Sequence, residues 1–172
     1  MSLGIVFGMA VQFVTNLIPT PRQMPIDEFF RHPADVWLIT IFGTLLGPLF
    51  EEIAFRGFFL PAIATAYDWI SMRRTAKGLL QWRSSTRVSR TGIVLSAVLT
   101  SILFALMHAE QLANAWWSVF ILFCVSMAFT YVRVRLSSVA ATAVLHASYN
   151  LFVFAGLFIA TGGYRHLDRL GR

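Results

Sequence analysis

The sequence predicts an all-α fold: a multi-pass transmembrane helix bundle with about five membrane segments, the second kinked near Gly47-Pro48. Three observations carry that prediction. Of 172 residues, 57% are hydrophobic and only 13% charged, against roughly 25% charged in soluble domains. The apolar residues form long unbroken runs rather than the two-residue alternation of strands. The basic residues gather between the runs, where positive charge orients a membrane protein. One membrane domain, residues 1–172, accommodates all of it, without internal repeat or low-complexity tract.

The first segment runs from Leu3 to Ile18 and stops at Pro19 and Pro21. It lacks the basic start and small-residue cleavage site of a signal peptide. It therefore reads as a retained membrane helix, or as the tail of one in a longer parent chain. A polar linker with Pro25, Asp27, Glu28, Arg31, His32, Pro33 and Asp35 follows. The second segment, Val36 to about Ile70, exceeds the ~20 residues that cross a hydrocarbon core. Proline removes a helix donor and clashes with the preceding turn. Gly47-Pro48 thus predicts a short helix to Leu46, a kink, and a further helix carrying Glu51 to Ala64.

Segments three to five are Gly92–His108, Ala115–Val132 and Val139–Thr161, the last ended by Gly162-Gly163. Between the second and third lies a basic loop, Ser71–Arg90, with Arg73, Arg74, Lys77, Arg83, Arg87 and Arg90 and no acidic residue. The positive-inside rule places it in the cytoplasm. Five crossings then put Met1 inside and Arg172 outside. Arg133 and Arg135 agree with that orientation, whereas Arg165, Arg169 and Arg172 count mildly against it. The net charge of +6 reads as topology and lipid headgroup contact, so no nucleic-acid partner is expected. Cys124 is the sole cysteine, within an apolar run, and reads as packing.

Function has to be sought in three polar clusters in apolar context. The first is Glu51-Glu52-Ile53-Ala54-Phe55-Arg56. An ionised side chain at bilayer depth costs about 2.5–3.5 kcal/mol on insertion scales, so these three need partners or a task. Glu52 and Arg56 are four apart and share a helix face. Glu51 projects about 100° away from Glu52. One carboxylate is neutralised and the other left facing elsewhere, which can separate their roles. A helix-locking ion pair explains Glu52 and Arg56 equally well but leaves Glu51 unexplained.

The second cluster is His108, one turn after Phe104, whose ring can pack on the imidazole. The third is His146 with Asn150, four apart on the fifth segment. Alone, a histidine near a helix end is more often an interfacial group, and an intramembrane Asn is often interhelical glue. Together they place a free carboxylate, two imidazoles and an amide on three helices. Two chemistries stay open. Glu51, His108 and His146 match the ligand set of a zinc site with an open water position. Alternatively, a carboxylate and an imidazole activate water without metal, the second histidine and Asn150 donating to an oxyanion. Both are hydrolyses of a carbonyl compound. HExxH, GxSxG and P-loop motifs are absent.

The ordered set Glu51-Glu52-x-x-x-Arg56, Phe104-x-x-x-His108 and His146-x-x-x-Asn150 resembles the CPBP family of intramembrane proteases. That family includes the CAAX prenyl endopeptidases and the bacteriocin-processing or Abi proteins. Arg56-Gly57-Phe58, Pro61 and Phe104-Ala105-Leu106-Met107-His108 strengthen the likeness. It spans a protease core of residues 36–154. The resemblance implies a helical bundle with a solvent-open cavity, in a bacterial or archaeal cell membrane. It implies an endopeptidase acting on a membrane-associated peptide or protein, in one branch a prenylated CAAX substrate. On it, Glu51 activates water with His108 beside it, His146 and Asn150 stabilise the oxyanion, and Glu52, Arg56 and Phe104 hold the geometry. Zn2+ bound by Glu51, His108 and His146 and a metal-free glutamate mechanism are both argued for the family.

Two rival classes are set against this. A non-enzymatic membrane scaffold or bacteriocin self-immunity protein would keep the fold without needing Glu51. A transporter or proton relay would need a continuous polar path, and the stretches between the clusters are apolar. One tension is geometric. His108 lies about 25 Å along its helix from Thr91, whereas His146 is about 11 Å from Val139. A shared site requires the third helix to begin outside the membrane or to tilt.

Overall fold

The computed structural model describes residues 2–18, 33–85 and 87–166. Every regular element among them is helical. The polar linker from Pro19 to His32, and Arg169 and Arg172, fall outside the described residues. Helix α1 is Ser2–Asn16. A continuous helical run follows, made of α2 (Pro33–Ile41), a π-helical stretch Phe42–Leu46, α3 (Gly47–Glu52), a second π-helical stretch Ile53–Phe59, and α4 (Leu60–Ser71). Helices α5 (Ala76–Ser84), α6 (Arg90–Met107), α7 (Trp116–Leu136) and α8 (Val139–Ala160) complete the order.

Four helical runs among the described residues have the length and apolarity to cross a membrane: Asp35–Ser71, Arg90–Met107, Trp116–Leu136 and Val139–Ala160. The expectation of about five segments is met by these four plus the shorter apolar α1. Their outward faces are covered in apolar side chains such as Leu38, Ile70, Val94 and Ile159, all exposed. The interior instead concentrates polar groups, including Ser96, Thr100, Ser101, Ser126, Thr130 and Thr142. That inversion is what lipid as solvent dictates: apolar contact with lipid gains as much as apolar contact with protein, so small and polar residues make the helix interfaces.

The disturbance expected at Gly47-Pro48 is a widened turn in a continuous helical run. The helix does not break; it widens. Proline at position 48 cannot donate a hydrogen bond, and its ring crowds the carbonyl four residues back. The turn ahead of it opens to the π pattern, with the Gly47 N–H donating to Phe42 O, five residues back. Pro61 is handled the same way: the π-helical stretch before it closes with the Leu60 N–H on Phe55 O. The run from Asp35 to Ser71 thus spans 37 residues without a loop.

The segment between α4 and α6 differs from the expected loop. It contains α5, whose first turn is capped by the Thr75 hydroxyl accepting from the Gly78 N–H at 3.1 Å. Helix α6 starts from Ser89, whose backbone N–H donates to Asp68 Oδ2 at 2.7 Å and whose hydroxyl also bonds Asp68. Asp68 therefore joins the end of α4 to the start of α6.

Helix α1 packs mainly on α8. Gly4 and Gly8, one turn apart, make that possible. A Cβ at Gly4 would collide with Ser148 Cβ, and one at Gly8 would lie 2.6 Å from the Phe152 ring. Phe7 reaches past them to Phe129 and Tyr149, with ring centroids 5.9 Å apart in each case. Gly8→Leu should therefore destabilise the bundle by about 1–3 kcal/mol, the usual cost of overpacking. Detergent-solubilised protein unfolded thermally would show it; an unchanged midpoint would mean α1 contributes nothing to the fold.

Candidate active site

Helix α3 and the π-helical stretch after it carry both carboxylates and the arginine. Adjacent helix positions point about 100° apart, and here that angle divides them between two environments. The Glu52 side chain is completely buried, whereas that of Glu51 keeps 30% of its surface exposed. Arg56 Nη1 donates to Glu52 Oε1 at 2.8 Å. Its Nη2 donates to both the carbonyl and the hydroxyl of Ser126 on α7, at 2.9 and 2.7 Å. The guanidinium carbon sits 5.0 Å from the Phe104 ring centroid and 5.6 Å from that of Phe129. A cation shielded from water in this way gains from both the carboxylate and the two ring faces.

The π geometry contributes as well. Widening a helix displaces main-chain carbonyls from their regular partners. The Arg56 carbonyl accepts from Arg133 Nε, on α7, at 3.2 Å. Helix α7 therefore holds both ends of the Arg56 residue.

His146 lies between the two glutamates. Its Nδ1 donates to Glu52 Oε1 at 3.0 Å, and its Nε2 stands 3.8 Å from Glu51 Oε2. The ring packs against Phe129 at 4.8 Å between centroids and meets Phe104 edge-on at 5.9 Å. Glu52 Oε1 thus accepts from both Arg56 and His146, while Oε2, equally buried, has no hydrogen-bond partner among the described residues. The buried trio fixes the imidazole plane and turns Nε2 toward the half-exposed Glu51.

His108 closes α6. Its Nδ1 lies 2.8 Å from the Phe104 carbonyl oxygen. A carbonyl can only accept, so Nδ1 carries the proton and Nε2 of the neutral ring offers its lone pair. The imidazole also packs on the Phe104 ring at 4.8 Å and 35°, as the one-turn spacing predicts. Phe104 touches Phe55, Arg56, His108 and His146. The depth tension is resolved through this ring: it brings the last turn of α6 level with the third turn of α8.

Asn150, an oxyanion donor on the resemblance, gives one side-chain donor to the main chain. Its Nδ2 donates to the Gly43 carbonyl at 2.7 Å, within the first π-helical stretch. The amide ties α8 to the widened helix, the glue role that an intramembrane Asn often has.

The sequence reading placed α7 as an apolar segment but gave it no part in the site. Ser126 and Phe129 hold Arg56 and His146, and Arg133 holds the Arg56 carbonyl. A signal was present: Ser126, Thr130 and Arg133 recur at four- and three-residue spacing on one face of an otherwise apolar helix.

The zinc ligand set does not assemble. Each histidine has its Nδ1 held by an oxygen and its Nε2 directed away, an orientation that suits a metal ligand as well as an acid–base group. Yet among the described residues no three His, Cys, Asp or Glu side chains converge as a metal site requires. Glu51, His108 and His146 are expected ligands that this arrangement does not gather around one point.

The family model for "Type II CAAX prenyl endopeptidase Rce1-like" proteins matches residues 33–152. No curated protein and no solved structure matches the chain.

Proposed function

The chain belongs to the Rce1-like family of type II CAAX prenyl endopeptidases, and from that premise we propose that it is an active intramembrane endopeptidase whose general base is Glu51. The observation that carries the proposal is the unequal treatment of neighbouring carboxylates. Glu52 is buried and bonded to Arg56 and His146. Glu51 is half-exposed and faces His146 Nε2. A scaffold needs the buried trio; it has no use for Glu51.

In this mechanism Glu51 takes a proton from water, and the water oxygen bonds to the peptide carbonyl carbon. The resulting oxyanion lies against His146, whose Nδ1–H stays on Glu52, so Nε2 donates to it only when the ring carries a second proton. His108, its ring fixed by Phe104, is joined to His146 through that same phenyl ring. Glu51 then passes its proton to the departing amine nitrogen, and the C–N bond breaks to give a carboxylic acid and an amine, between which the second water proton then partitions. No step passes through a metal ion.

The substrate proposed is a peptide whose prenylated cysteine begins a C-a-a-X terminus, held by its lipid in the membrane. The basic segment 71–90 is assigned to the cytoplasmic face of the membrane by the positive-inside rule. The test is cleavage of a farnesylated CAAX peptide in proteoliposomes by the wild type and by Glu51→Gln, with products read by mass. Intact peptide after prolonged incubation with folded wild-type protein would defeat the proposal.

Asn150 provides a separate discrimination. As an interhelical tie, Asn150→Ala should cost about 0.6–1.7 kcal/mol of stability and change kcat by only a few-fold. An oxyanion donor would instead lose about 10²–10³ in kcat, which would return Asn150 to the reacting centre.

A further inference from the structure

A cavity of about 630 Å³ lies away from the candidate active site, between the end of α4, helix α5 and the start of α6. Its lining includes Arg73, Thr75, Lys77, Trp82 and Arg87, with Asp68 as the one acidic member. Asp68 is engaged by the neutral donors of Ser89. No ion pair joins Arg73, Lys77 or Arg87 to a carboxylate among the described residues. Three cations therefore face one concavity with a single carboxylate, Asp68, among the described residues that line it, a net positive charge. We propose that this cavity binds the phosphodiester headgroup of an anionic membrane lipid.

The shape is built into the local sequence. Helix α5 folds back so closely that a Cβ at Gly78 would collide with the Arg73 carbonyl oxygen, so only glycine lets the first turn of α5 sit there. Arg73 and Lys77 both line the cavity that this fold-back encloses. Trp82 packs on Trp69 with centroids 4.8 Å apart, the interfacial placement that tryptophan favours.

The surroundings select a lipid over a free anion. The cavity opens where two membrane-spanning helices end. Ile70 and Leu80 next to it are 74% and 68% exposed, an apolar surface on which acyl chains can lie. Basic pockets at helix ends on one membrane face are suited to anionic headgroups, each nearby Lys or Arg adding attraction. Helix α4 continues without a break from the helix that carries Glu51, Glu52 and Arg56, so the bound headgroup would hold the outer end of that helix.

The test titrates the purified full chain in a non-ionic detergent with dioleoylphosphatidylglycerol, dioleoylphosphatidylcholine or inorganic phosphate, with bound species read by native mass spectrometry. Phosphatidylglycerol should bind at least about tenfold more tightly than phosphatidylcholine. The variant Arg73→Gln/Lys77→Gln/Arg87→Gln should lose that preference. Arg83→Gln/Arg90→Gln/Arg135→Gln removes equal charge from the same membrane face outside the cavity and should keep it. If the cavity triple variant does not fold, Lys77→Gln alone, on an exposed turn, should still weaken phosphatidylglycerol by about twofold or more. Equal losses in both triple variants, no preference for the anionic lipid, or inorganic phosphate binding as tightly as the lipid would each overturn the proposal.

Discussion

Glu51→Gln should lower kcat on a farnesylated CAAX peptide by about 10²–10⁴-fold, the usual contribution of a general base. The amide keeps the size and polarity of the carboxylate but cannot take a proton from water at neutral pH. Stability should hardly move. Glu51 is half-exposed, and its nearest described charge partner, His146 Nε2, is 3.8 Å away; substitutions of that kind usually stay within about 0.5 kcal/mol. The paired measurement is steady-state cleavage in proteoliposomes alongside thermal unfolding. Full activity in a folded Glu51→Gln protein would remove Glu51 from the mechanism. Loss of activity together with collapse of the fold would instead give Glu51 a structural role.

Arg56→Met should behave in the opposite way. Arg56 is almost wholly buried, and its partners Glu52 and Ser126 are fully buried. Removing the guanidinium leaves the Glu52 carboxylate in a dry interior with only His146 as partner, and breaking a buried ion pair on one side costs about 3–5 kcal/mol. Activity should fall too, because the His146 ring is oriented by the same Glu52 oxygen that Arg56 holds. Glu52→Gln combined with Arg56→Met removes both charges and should recover a large part of the lost stability while leaving activity low. Unfolding of the three variants in a graded detergent series measures this. An Arg56→Met protein as stable as the wild type would show that the pair contributes nothing to the fold.

The family match fits this division of labour. It spans residues 33–152, from the start of α2 to within α8, and so includes every residue of the buried trio, both histidines and Glu51. Helix α1 lies outside it and covers the back of the Phe129 and Tyr149 rings.

Several features were open to reading from the chain alone because they depend on local spacing. Glu52 and Arg56 pair because helical positions four apart meet. Phe104 stacks on His108 for the same reason. The boundaries of α6, α7 and α8 follow from hydropathy, each observed within a few residues of its apolar run. Other features were closed to that reading. The proline at 48 announced a disturbance, but whether a helix breaks or widens depends on what the freed groups find, and here neighbouring helices supply partners. Gly43 O meets Asn150 and Arg56 O meets Arg133. Asn150 itself was legible as a polar group on the right face, yet its partner lies 107 positions away. Helix α5 was hidden because its short, polar turn draws on the Thr75 cap and on the fit of Gly78 against Arg73.

The sequence by itself determined a helical membrane bundle and the residue types of the site, because lipid forces backbone groups to pair within each segment and makes any ionisable side chain there conspicuous. Only the tertiary structure decided how those groups share their bonds. His146 bonds Glu52 and faces Glu51, Ser126 and Phe129 enclose Arg56, and Asn150 turns to a backbone carbonyl. The physical reason is that helical periodicity fixes which face a residue occupies, whereas its partner is set by the rotation and depth of a different helix, and no local spacing encodes those.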